Sequence, residues 1–229
     1  MELVKAVKMP FQDWKKLLIG WAILFAGMLI AVLPVAGWIV STLLGFFVSG
    51  FVLLTALNVV KKKWNLTEWA DWKTLFIKGI LMAIIGLVYM LPALLVIFLL
   101  GGNSILNLMY AVMTDPLVTD PLALAGSIGG LVGALTIGGL LVVLAMYLTP
   151  SAVLNYGRTG KFLKAFDFKT VLKKAFSGGY FLAAIVSVAA TLAVMLVLLF
   201  VPVLNLLLLP LASFVLQLFS YSLLAEAVR

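Results

Sequence analysis

The sequence predicts an all-α, polytopic membrane protein, with six transmembrane helices arranged as three related hairpins in one integral membrane domain over residues 1–229. Three observations carry this expectation. Of the 229 residues 65% are hydrophobic and 10% charged, with a mean hydropathy of +1.26, where an ordinary soluble domain has roughly a quarter of its residues charged. Six apolar runs are each long enough for the roughly 20 residues that a helix needs to cross a bilayer core. Finally, an Asp, an aromatic and a Lys stand together three times, as Asp13-Trp14-Lys15, Asp71-Trp72-Lys73 and Asp167-Phe168-Lys169, each time ahead of an apolar segment.

The runs fall near 15–33, 36–60, 76–100, 122–148, 178–201 and 203–226, and pair into hairpins over 11–60, 71–157 and 167–229. The first pair is joined by "LPVAGW" (33–38) and the third by "VPVLN" (201–205); in each, a Pro ends one helix and suits the opening of the next, so both turns should be tight. The middle connection, "GGNSILNLMYAVMTDPLVTDPLALAG" (101–126), is too long for a turn and too apolar for a solvated loop. It is expected to form an interfacial flap, with Asp120 capping the fourth span and Pro121 at its first position. The opening "MELVKAVKMPFQDWKK" places basic and aromatic residues where a cleaved signal would carry its apolar core, so the first span is expected to stay in the mature protein.

Charge sets the orientation. All 16 Lys and Arg fall on one side of the hairpin arrangement, together with six of the eight acids, while the other side carries only Asp115 and Asp120. The positive-inside rule makes the basic side cytoplasmic, with both termini on it, in a multi-pass protein of the cell membrane. The net charge of +8 is then topology plus attraction to anionic headgroups, and no nucleic-acid partner is expected.

The three entrances have one physical reading. Asp13, Asp71 and Asp167 are placed to cap helix N-termini, where a carboxylate accepts orphan N–H groups at the positive end of the dipole. Trp14, Trp72 and Phe168 sit at headgroup depth, and Lys15, Lys73 and Lys169 snorkel toward phosphates. The stretches leading into the second and third entrances also correspond: "TALNVVKKKWNLTEWADWKTLF" (55–76) and "SAVLNYGRTGKFLKAFDFKTVL" (151–172) both run from Ala and Asn through basic residues into an aromatic-rich segment. An in-plane amphipathic helix is expected ahead of each of these two hairpins. All three hairpins enter from one side, so the repeat is parallel.

Taken with "PFQDWKKLLIGW" at the start and "GGYF" after the third entrance, these segments resemble the archaeal and bacterial membrane family catalogued as domain of unknown function 4013. The most specific parts are Glu68-Trp69-Ala70-Asp71-Trp72 leading to Gly79, and Tyr89 with Pro92. The resemblance covers nearly the whole chain. It implies the polytopic topology and no established activity.

Sites for chemistry are scarce. Cys and His are both absent, which removes disulfides, thiol and imidazole catalysis and the usual ligands of Zn, haem and Fe–S clusters. Two carboxylates, Asp115 and Asp120, fall short of the six to eight oxygens that calcium takes, so neither metal nor cofactor is expected. No acid or base lies at mid-depth in a span, as ion coupling would need. Glu226, in the last turn of the sixth span, is read as an interfacial group or as part of a polar site with Asn58 and Asn155. Pro92, Pro150 and Pro210 mark kinks, with the phenols of Tyr89 and Tyr147 near two of them, and could line a cavity or merely shape packing. Gly126, Gly130, Ala134 and Gly138 recur every four residues and lay a groove for close approach of another helix, within the chain or in a second copy. The features together suggest a non-catalytic protein that binds or moves lipid or another apolar molecule. The alternatives are a membrane scaffold or assembly subunit with a homo-oligomeric or other membrane-protein partner, and, third, an oligomeric channel.

Overall fold

The computed structural model describes residues 2–113, 121–201 and 204–229, and every regular element among them is helical. In chain order these are α1 (Leu3–Lys8), α2 (Trp14–Ile30), α3 (Ala36–Val60), α4 (Trp72–Met113), α5 (Pro121–Thr159), α6 (Phe168–Ala175), α7 (Gly178–Leu199) and α8 (Asn205–Ala227), with 3₁₀ turns at Met9–Phe11 and Phe162–Phe166. Five of them, α3, α4, α5, α7 and α8, are long and apolar enough to cross a membrane. The first expected span is shorter than its apolar run: α2 has 17 residues, about 25 Å, because the chain turns at Pro34. There Ala36 N–H donates to Pro34 O at 2.6 Å and Val35 adopts φ 55°, ψ −65°, the strained γ-turn that reverses direction in the fewest residues.

The chain forms two compact units, residues 1–85 with 150–229, and residues 86–149. In the first, α8 is the central helix, packed against α1, α2, α3 and α7. Its core is built from Phe51 and Leu53 of α3, Leu17 of α2, and Phe214, Leu218 and Leu223 of α8. Gly20 of α2 makes room for the Phe214 ring, which a Cβ there would meet at 2.2 Å. Trp21 Nε1 donates to Leu207 O at 2.9 Å, tying α2 to α8 a second time. The start of α4 lies on α3 with almost no separation. A Cβ on Gly50 would fall 1.9 Å from Leu75 O, and one on Gly79 1.8 Å from Phe46 O, so the two glycines face each other's helix in a reciprocal pair and let the backbones touch.

The second unit is the far part of α4 and the near part of α5. Residues 101–113 are not an interfacial flap: α4 runs on without a break through Gly101 and Gly102 to Met113, and α5 begins at Pro121. Small residues facing each other carry the helices on. A Cβ on Gly101 would sit 3.2 Å from the Cβ of Ala134, and one on Gly130 would sit 2.5 Å from Ser104 Oγ. Asp115 and Asp120 lie outside the described residues.

Candidate functional site

The three Asp residues act on the backbone as local chemistry dictates, yet only two stand ahead of a long helix. Asp13 accepts from Lys15 N at 3.1 Å and Lys16 N at 3.2 Å at the start of α2. Asp71 accepts from Thr74 N at 3.0 Å at the start of α4, and the Thr74 hydroxyl and N–H hold its carboxyl below the usual range. Asp167 accepts from Thr170 N at 3.3 Å and from Lys164 Nζ at 3.2 Å, and the lysine draws its pKa down in the same way. It opens the eight-residue α6, however, not α7; the cap of α7 is Ser177, whose Oγ accepts from Tyr180 N. Trp14, Trp72 and Phe168 are all exposed.

The two corresponding loops are closed by the same residue types. After α3, Thr55 Oγ1 accepts from Thr67 N at 3.2 Å and Asn58 Nδ2 donates to Asn65 O at 3.3 Å. After α5, Ser151 Oγ donates to Val171 O at 3.2 Å and Asn155 Nδ2 donates to Lys164 O at 2.6 Å. Each Asn satisfies a carbonyl of the loop that follows its own helix, which gives the repeated Asn a physical meaning. The first loop, residues 61–71, contains no helix, contrary to expectation. It is held instead by Trp69, whose ring stacks on Phe51 at 4.1 Å and whose Nε1 donates to Lys16 O at 3.0 Å. Glu68 completes the attachment by pairing with Lys16 Nζ at 2.5 Å.

The second loop does hold an amphipathic helix, but α6 contains the Asp-Phe-Lys motif's aromatic and base where the sequence had suggested a helix preceding them. Successive residues turn by about 100° around a helix, which divides α6 into four strips. Val171 and Ala175 are fully buried against the protein. Phe168 and Leu172, with Phe176 just past the helix end, form an apolar strip exposed by 56%, 38% and 66%. Lys169 and Lys173 come next, and Thr170 and Lys174 complete the circle.

The polar side of α6 borders a groove of about 560 Å³ lined by Lys169, Thr170, Lys173, Lys174, Ser177 and the end of α8 with the residues after it, Ala227, Val228 and Arg229. Arg158, from the end of α5, donates to Val228 O and fixes that wall. Lys174 Nζ is held at 3.2 Å by Asn155 Oδ1; desolvation, with the Arg158 charge as a smaller contribution, lowers its pKa. Among the described residues lining the groove there is no acid. Two further ties lie in the first unit. Glu226 accepts from Glu2 N at 3.0 and 2.9 Å, and Lys78 Nζ lies 4.6 Å from the centre of the Tyr156 ring, a cation–π contact that shelters a charge one and a half turns into α4.

The second unit carries a different surface, an apolar groove of about 420 Å³ lined by Ile105, Leu108, Met109, Met113 and Leu131. Met side chains adapt to irregular apolar shapes.

Both loops, the Glu68 to Trp72 segment and α6 lie within residues 22–203, the stretch matched by the family model described as protein of unknown function (DUF4013). The chain belongs to that family. Comparisons with curated proteins and with solved structures find no match. Of the basic groove in this DUF4013 protein, the α6 wall is inside the family match and the wall after α8 is outside it.

Of the residues of the alternative polar site in this DUF4013 chain, Asn58 donates to the Asn65 carbonyl, Asn155 donates to the Lys164 carbonyl and accepts from Lys174, and Glu226 accepts from the Glu2 N–H. Pro92, Pro150 and Pro210 each sit inside a continuous helix. Tyr89 is buried and Tyr147 half-buried in the second unit, and neither they nor these prolines line the two grooves above. The glycine stripe of α5 is used mainly within the chain: Gly130 faces Ser104, Ala134 is buried, and a Cβ on Gly138 would meet Ile97 at 2.2 Å. At Gly126, Gly129 and Gly133 a Cβ would meet no atom of the described residues within 4 Å. Sequence reasoning missed the Gly50–Gly79 pair, the Trp69 anchor and the basic groove. The charge-dense "KFLKAFDFKTVLKKAFS" (161–177), unusual in so apolar a chain, was the one signal for the groove.

Proposed function

We propose that this is a non-catalytic membrane protein that binds lipid, and that the face carrying α6 is its binding face. In this reading α2 also crosses the bilayer, with Lys15 at its end reaching the headgroups to make up for its length, which gives six spans in three hairpins with the basic face cytoplasmic. The observation that supports the function is α6. A helix with one strip against the protein, one exposed aromatic and aliphatic strip and one lysine strip is built to lie in a membrane interface, apolar side toward acyl chains and cations toward phosphates. Native mass spectrometry of the chain released from nanodiscs tests this: lipid should be retained at fixed stoichiometry, and Phe168→Ser with Phe176→Ser should reduce it severalfold. A protein that releases every lipid as freely as bulk would defeat the reading.

A second reading, an assembly subunit, is favoured by one observation, the side of α5 with Gly126, Gly129 and Gly133, which no described residue approaches within 4 Å, since small residues let helices of separate copies approach closely. If it holds, Gly129→Leu disperses the assembly and leaves each subunit folded. Gly130→Leu does not test it, because it overpacks Ser104 and should destabilise the α4–α5 hairpin by about 1–3 kcal/mol. Subunit number in the same spectra decides between them.

A further inference from the structure

We propose that the groove between α6 and the residues after α8 is a headgroup site for an anionic phospholipid that carries no amine, of the phosphatidylglycerol type, with its acyl chains leaving past Phe168, Leu172 and Phe176. This rests on the lipid-binding reading and names the ligand class at that face. Four cationic side chains, Lys169, Lys173, Lys174 and Arg229, line the groove with the hydroxyl-bearing Thr170 and Ser177. Lysines and arginine bind phosphate oxygens through charge-assisted hydrogen bonds. An ammonium-bearing headgroup would bring a fifth positive charge into a lining with no acidic side chain among its described residues; the Glu2 carboxylate feels the Arg229 charge but is not part of that lining. A phosphate with a neutral glycerol or similar group meets only donors and hydroxyls.

Placement on α6 decides in favour of a lipid over a soluble anion. Lys169 and Lys173 lie between the exposed apolar strip and the groove when the helix is followed around its axis. Their aliphatic stems therefore border the acyl region while their ammonium groups reach the groove. A site for free phosphate has no use for two exposed phenylalanines and a leucine beside it. Lys174 adds preorganisation: Asn155 holds its Nζ at 3.2 Å, and Arg158 stands close enough for the two charges to oppose each other, a repulsion that a bound anion relieves.

The test uses the full chain in nanodiscs of equimolar phosphatidylcholine and phosphatidylglycerol with matched acyl chains, and native mass spectrometry to read which lipid stays bound. Phosphatidylglycerol should be retained in preference. Lys169→Ala with Lys173→Ala should lower that preference about tenfold, whereas Lys61→Ala with Lys63→Ala, which removes the same charge from the other loop, should leave it nearly unchanged. An equal fall in both doubles would mean diffuse surface attraction and overturn the site. So would retention of both lipids without preference, which leaves the lipid reading standing and removes only the headgroup assignment. Displacement of the retained phosphatidylglycerol by millimolar inorganic phosphate would make the groove a soluble-anion site and overturn it too. Loss of all lipid from the native chain would instead remove the lipid-binding reading on which the site rests.

Discussion

Gly79→Ala is expected to cost about 3 kcal/mol or more of stability, although alanine is the better helix former. In an exposed helix the change would be favourable by about 1 kcal/mol, because glycine loses more backbone freedom on folding. Here the new Cβ would lie 1.8 Å from the Phe46 carbonyl oxygen and 2.6 Å from its carbon. The obstruction is backbone, which cannot rotate aside as a side chain can, so α3 and α4 must separate and lose the contact between them. Overpacking ordinarily costs about 1–3 kcal/mol, and this case belongs at the upper end. Gly50→Ala should behave alike, since its Cβ would meet Leu75 O at 1.9 Å. The double variant should cost less than the two together, because one separation of the helices relieves both overlaps. Gly45, on the same helix with nothing within 4 Å, is the control. Thermal unfolding in detergent should show Gly45→Ala equal to or above the native chain and Gly79→Ala far below it; equal midpoints for the two would refute the close packing of α3 on α4.

Trp69→Ala is expected to cost about 3–5 kcal/mol, the range for truncating a buried aromatic. Trp69 is only 8% exposed. Its ring stacks on Phe51 with an interplanar angle of 12° and lies 5.6 Å from Trp72 and 6.4 Å from Phe214. It thereby joins the loop over 61–71 to α3, α8 and the start of α4, while its Nε1 bond to Lys16 O adds α2. Trp69→Phe keeps most of the ring contact and forfeits the bond, at about 1 kcal/mol. Limited proteolysis separates this from a general loss of packing: cleavage within 61–71 should rise first in the alanine variant. If that loop stays protected and the unfolding midpoint hardly moves, Trp69 is not the anchor described.

The entrance motif shows how far local reading reaches. That Asp13, Asp71 and Asp167 accept backbone N–H bonds two or three residues on was readable, because a cap involves only neighbours in the chain. That Asp167 opens a surface helix instead of a span was not, since α6 stops at Phe176 and Ser177 caps α7, a break set by one serine in a continuous apolar and basic stretch. The flap expected over 101–126 gave way to helix at 101–113 and 121–126 for a related reason. Gly101-Gly102-Asn103 is a breaking signal in an isolated helix, but Gly101 lies against Ala134 and Leu131 of α5, a close packing that compensates, while Gly102 has no described atom within 4 Å of where its Cβ would stand.

What the sequence by itself determined is whatever the surrounding solvent selects: apolar runs long enough for a bilayer, cations confined to the ends of those runs, prolines and capping residues where helices start and turn. What only the tertiary structure decided is which surfaces meet. A helix apolar on all sides has no polar face to declare which side packs inward, so the Gly50–Gly79 contact, the Trp69 stack and the use of Gly130 and Gly138 within the chain could not be read from α3, α4 and α5 alone. The basic groove needed the tertiary structure as well, because it joins Lys169 of α6 to Arg229, 60 residues later, and a separation of that length leaves no trace in local periodicity.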